Sequence, residues 1–244
     1  MATQFNPSGY RSGHLRALAA MWLLGACAGV HLLFAILHGF MAGGVLGGPN
    51  AVAAGEETQQ VVIILNAGLL LLNFFAYVGT VVAFLMWLHR AYSNLRPLGA
   101  KWLQYTPGWA VGYFFIPFLN LVRPYQAVRE VWRWSQSGTI EELSFTSDTG
   151  APLVGWWWGF WIAANVASNI YSRTADAKEA IDAAPWLGLA DDLLTIVAAA
   201  FAIIMIRSID QMQTERSKRV ELSGASFDQP PPPPTFGVQS LNLG

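Results

Sequence analysis

The sequence predicts an all-α membrane protein: four transmembrane helices plus a re-entrant or interfacial elbow and a cytoplasmic amphipathic helix. Three observations predict it. Apolar residues make up 54% of the 244 residues and charged residues only 12%, about half the charged share usual in soluble globular proteins. Four segments are long and nearly free of charge. The 14 lysines and arginines are also distributed very unequally between the two sides that four crossings would define.

The first segment, residues 17–40, has no Asp, Glu, Lys or Arg over 24 residues. The second, 61–88, has none over 28, and the third, 151–172, none over 22. The fourth, 186–206, is interrupted only by Asp191 and Asp192. A hydrocarbon core of about 30 Å needs about 20 apolar residues in a helix, so each is long enough to cross. "LLGAC", ending at Cys27, has the form of a lipoprotein signal. The chain continues into "AGVHLLFAILHGF" instead of a polar tether, so a retained span is expected.

The stretch "YTPGWAVGYFFIPFLNLVRPYQAVREVWRWS" at 105–135 decides the topology. Its dense apolar part, 108–119, reaches only about 18 Å as a helix, too short to cross. Pro117 interrupts that run. With four spans and an inner N-terminus, 12 basic residues lie inside and Arg173 and Lys178 outside; a fifth span after Lys101 gives seven and seven. The positive-inside bias selects four. The segment 107–135 is therefore expected to enter or lie on the cytoplasmic leaflet and return. After Pro124, Tyr125, Val128 and Trp132 share one side of a helix and Arg129 and Arg133 the other. Arg123, Arg129, Trp132 and Arg133 then form a basic and aromatic set for anionic headgroups and the interface, or the helix packs on the protein's own cytoplasmic ends.

"WLHRAYSNLRPLGA" at 87–100, the 105–135 stretch and "GWWWGFW" at 155–161 together resemble a bacterial membrane family, the domain of unknown function 4328, over roughly residues 61–207. The resemblance implies a small multi-pass bacterial membrane protein, and the expected location is the cytoplasmic membrane with both termini inside. It implies no activity and no site residues.

Polar groups inside the spans are the functional clues, because leaving them unpaired in lipid is costly. His31 and His38 share a face of the first span, and Asn66 and Asn73 a face of the second. Asn165, Ser168 and Asn169 belong to the third, and Asp191, Asp192 and Thr195 to the fourth. At 1.5 Å per residue all four sets reach the outer half of the bilayer. They predict either an ion, proton or solute site built on an Asp–His pair, or interhelical glue with two carboxylates near a helix N-terminus. The second weighs more.

The remaining signals exclude more than they assign. A single cysteine permits no intrachain disulfide and no cysteine metal cage. No phosphate-binding loop, HExxH zinc helix or GxSxG nucleophile turn is present. His14 and His89 alone match in depth, both at polar helix ends, so no haem or other cofactor and no metal is expected. A net charge of −1 gives no basis for binding nucleic acid. "GACAG" at 25–29 permits close helix packing within the bundle or between copies.

The predicted organisation is a cytoplasmic segment at 1–16, a membrane domain at 17–210 and a proline-containing disordered cytoplasmic tail at 211–244. Within that tail, "SIDQMQTERSKRV" continues the fourth helix and the extended part starts at Glu221. The favoured function is a scaffold or accessory subunit without catalytic residues, with the lipid bilayer and a second copy or another membrane protein as partners. A small ion or solute channel or carrier is the alternative, and a membrane enzyme the third.

Overall fold

In the computed structural model the described residues are 9–43, 56–136, 152–175 and 183–227, and they form helices without a strand. They are α1 (His14–Ala42), α2 (Glu56–Ser93), α3 (Pro107–Gly112), α4 (Arg123–Ser135), α5 (Pro152–Ala175) and α6 (Ala184–Phe227). Short 3-10 turns at Tyr113–Phe115 and Leu119–Leu121 lie between α3 and α4. Residues 44–55, 137–151 and 176–182 and the prolines at 230–234 lie outside the described residues. The helix reaches Phe227, however, so residues 211–227 are helical and the predicted extended tail cannot start at Glu221.

Three helices contain stretches long and apolar enough to cross a membrane: His14–Ala42, Ile63–Ser93 and Ala184–Glu221. The third expected span, 151–172, coincides with α5, 24 residues long, which is not among them. Its proline, tyrosine, asparagines and serines, with tryptophans that rank low as apolar residues, reduce its mean hydropathy.

The bundle is organised around α6. It packs along α1 on one side and α5 on the other, and α2 lies against the far side of α1. The core sits at one end, where Trp87, Leu88, Tyr92 and Leu95 of α2 meet Val128 and Val131 of α4, Val154 of α5, and Met205, Ile206 and Ile209 of α6. The other half of α2 is bare: Ile63, Ile64, Leu70, Leu71, Phe74 and Phe75 are all exposed, a surface suited to lipid.

The elbow follows from its prolines. Thr106 caps α3 by accepting from the Trp109 amide, with Pro107 in the first turn. Pro117 ends the second helical attempt, and the amide of Leu119 bonds the Pro117 carbonyl at 2.8 Å around Phe118. Phe118 has φ 65°, the rare and strained form of a three-residue turn. The Trp158 indole donates to the Leu121 carbonyl at 3.0 Å, fastening the elbow to α5. Only Trp156 of the 156–158 run is exposed; Trp157 and Trp158 are buried in the core, so the run is not a uniform interfacial belt. In α4 the buried residues are Pro124, Ala127, Val128, Val131 and Ser135, a helical stripe turned to the protein.

Candidate functional site

Three helices converge on one buried carboxylate. His31 and His38 are seven residues apart on α1, two turns along one face, together with buried Cys27, Val30 and Phe34. Opposite them α6 presents Gly188 and, one turn later, Asp192. The Asp192 residue is 3% exposed. His31 Nδ1 lies 2.8 Å from Asp192 Oδ1 and His38 Nδ1 2.7 Å from Oδ2. From α5, the Tyr171 hydroxyl lies 3.2 Å from His38 Nε2.

The geometry assigns the donors. A carboxylate only accepts, so each Nδ1 carries the hydrogen that faces it. Tyr171 can then donate to His38 Nε2, completing a chain from hydroxyl to imidazole to carboxylate to the second imidazole. Buried Cys27 lies one turn before His31 on the same helix. Phe34 fills the space between the rings, its centroid 6.2 Å from each. Gly188 makes the fit possible, because a Cβ there would fall 2.8 Å from His38 Cε1 and Nε2. Asp191, next in sequence, is half-buried and is not among the groups bonded to either histidine.

Such a cluster can hold a proton and pass it among three side chains. It also ties three helices together, since removing Asp192 takes the shared carboxylate from both part-buried histidines. Among the described residues no group of three or more His, Cys, Asp or Glu is arranged to hold a metal ion.

The asparagines predicted to share this centre do not reach it. Asn66 is exposed on the bare half of α2; Asn73 is half-buried there, its Oδ1 without a partner. Asn165 and Asn169 are exposed and donate to carbonyls of their own helix, at 2.7 Å to Trp161 and 2.8 Å to Asn165. They line a groove of about 410 Å³ against the elbow, with Asn120 at one end and Arg173 at the other. Depth placed all these groups together; the rotation of each helix separates them.

The arginines predicted for the interface have internal contacts. Arg123 donates to the Tyr105 hydroxyl at 3.1 Å and to Gln126 Oε1 at 3.2 Å. The Tyr105 hydroxyl holds its guanidinium above the ordinary value. Arg129 lies over the Tyr125 ring and Trp132 is half-buried, while Arg133 is exposed.

Sequence reasoning missed Tyr171 and Gly188. A glycine one turn before Asp192 was a readable signal for a large group seated against α6; the tyrosine at the end of an apolar run was not distinctive. A second polar knot, at the core end, was missed as well. Buried Gln213 donates to the Ala91 carbonyl and to Ser135 and accepts from Asn94, and the Tyr92 hydroxyl bonds Glu130.

No curated protein and no solved structure matches this chain. A family model described as a domain of unknown function, DUF4328, matches residues 51–211. The match contains Tyr171, Gly188 and Asp192, but α1 with both histidines precedes it. Covering more than half of the chain, the match means that this protein belongs to the DUF4328 family.

Proposed function

We propose that this protein is a multi-pass component of the bacterial cytoplasmic membrane, with four spans and both termini cytoplasmic, that acts as a scaffold or accessory subunit and not as an enzyme. One observation carries the reading. Gly25 and Gly29 lie one turn apart on an exposed face of α1, and a Cβ at either would meet nothing within 4 Å. A small-residue pair on the outside of an apolar helix lets a second helix approach closely. Trp22, 77% exposed, and Leu33 extend that face. The His31–Asp192–His38 cluster acts in this reading as an internal tie.

The test is native mass spectrometry of the protein extracted gently from its own membrane. A second copy or a stoichiometric protein partner is expected, and it should be lost when Gly25→Leu and Gly29→Leu are combined. A lone wild-type chain, or an association that the double variant leaves unchanged, would overturn the reading.

A small carrier is the second reading, favoured by the same cluster: one carboxylate between two imidazoles in an apolar bundle is a place where a proton can be held. A proton flux lost in Asp192→Asn without loss of stability would establish it.

A further inference from the structure

At the core end, α1 and α2 bring three arginines together along one seam. The chain before α1 is pinned to the end of α2, since Asn94 Nδ2 donates to the Arg11 carbonyl at 3.0 Å and Asn94 Oδ1 accepts from the Arg11 amide at 3.4 Å. One turn back along α2, the Arg90 stem lies over buried Gly13, where a Cβ would fall 3.3 Å from Arg90 Cγ. One turn further back, Arg16 reaches across from α1 and donates to the Met86 carbonyl at 3.3 Å. Arg11 and Arg16 are both near enough for their charges to repel that of Arg90.

Among the described residues no carboxylate forms an ion pair with any of the three. The nearby Asp210 is taken up by His14 at 2.7 Å. Three like charges held on one seam without a counter-ion call for an anion. The surface beside them indicates its source. Leu71, Phe75, Val82 and Met86 are exposed on α2 and follow one another at helical spacing up to Arg90, so an apolar track leads directly to the guanidiniums.

We infer that Arg11, Arg16 and Arg90 form a binding site for the phosphate of an anionic phospholipid, whose acyl chains lie along the Val82 and Met86 face of α2. The inference rests on the membrane reading above but not on the scaffold role. Arginine suits a phosphate because its planar fork presents two donors at once. A lipid held here would staple the α1–α2 seam at the leaflet surface.

The experiment uses the full chain in a zwitterionic detergent. Phosphatidylglycerol, phosphatidylcholine or inorganic phosphate is added, and bound lipid is read by native mass spectrometry. Fractionation of the wild-type chain with membranes, checked first, tests the membrane reading separately. The wild type should prefer phosphatidylglycerol to phosphatidylcholine on the order of tenfold. Combined Arg11→Gln, Arg16→Gln and Arg90→Gln should abolish that preference. The charge-matched control Arg96→Gln, Lys101→Gln and Arg207→Gln, all exposed positions, should keep it.

If the glutamine triple variant does not fold, the triple Arg→Lys variant should show a weakened but measurable preference. Unchanged lipid selectivity in either arginine-site variant would overturn the site. So would equal loss in the control, which would mean diffuse attraction. Displacement of the lipid by inorganic phosphate at comparable concentration would mean a free-anion site and would overturn the lipid assignment.

Discussion

His38 lies so close against Gly188 that the position of a Cβ at 188 is already occupied by the imidazole, 2.8 Å from Nε2 and 2.9 Å from Nδ1. The glycine thus seats the ring one turn from the Asp192 carboxylate that it bonds. Ala is the better helix former by about 1 kcal/mol, so an open position would gain from the change. Gly188→Ala should instead destabilise the protein by about 1–3 kcal/mol, because the ring must move away from its partner. Thermal unfolding in detergent checks it, with Gly25→Ala, whose Cβ meets nothing within 4 Å, as the neutral or stabilised control.

Asp192 is the hub, with both oxygens used by imidazoles. Asp192→Ala takes the shared acceptor from two part-buried rings and should cost about 2–4 kcal/mol. Asp192→Asn keeps one acceptor and forces one histidine to change tautomer, at about 1–3 kcal/mol. In melting measurements, His31→Ala and His38→Ala should combine sub-additively with the asparagine change, since the three groups share one network.

The Tyr171 hydroxyl is the partner of His38 Nε2. Tyr171→Phe should lower stability by about 1–2 kcal/mol by leaving that nitrogen unsatisfied. Asn169→Ala, on an exposed side chain bonded to its own helix, should change stability by no more than about 0.5 kcal/mol. The pair distinguishes a member of the cluster from a polar group that depth alone placed with it.

Gln213 links α2, α4 and α6 through Ala91, Asn94 and Ser135. Gln213→Leu should cost about 1–3 kcal/mol by orphaning those buried groups. Its signature is faster hydrogen exchange in Arg123–Ser135, because α4 loses its tie to the long helix.

Much of this architecture was legible. Uncharged runs marked the long helices, and Pro117 and Pro124 marked a break in the chain and the first turn of α4. Depth counting put His31, His38 and Asp192 at one level, and side-chain spacing put both histidines on one face. It could not supply the rotation of α2 and α5 about their axes, which turns Asn66, Asn165 and Asn169 away. For α4, amphipathicity announced an apolar face but not what covers it; the protein's own core does. Tyr171 and Gly188 escaped because a lone tyrosine or glycine in an apolar run has no pattern to mark it.

The claim that the cluster ties helices together and does not move protons is tested most directly in vesicles. The wild type and Asp192→Asn are reconstituted with an enclosed pH-sensitive dye, and the same preparations are melted in detergent. A lower melting temperature for Asp192→Asn, with proton flux in both at the level of protein-free vesicles, is the predicted result. A wild-type proton flux that Asp192→Asn abolishes at unchanged stability would contradict the account and make the cluster a transport site.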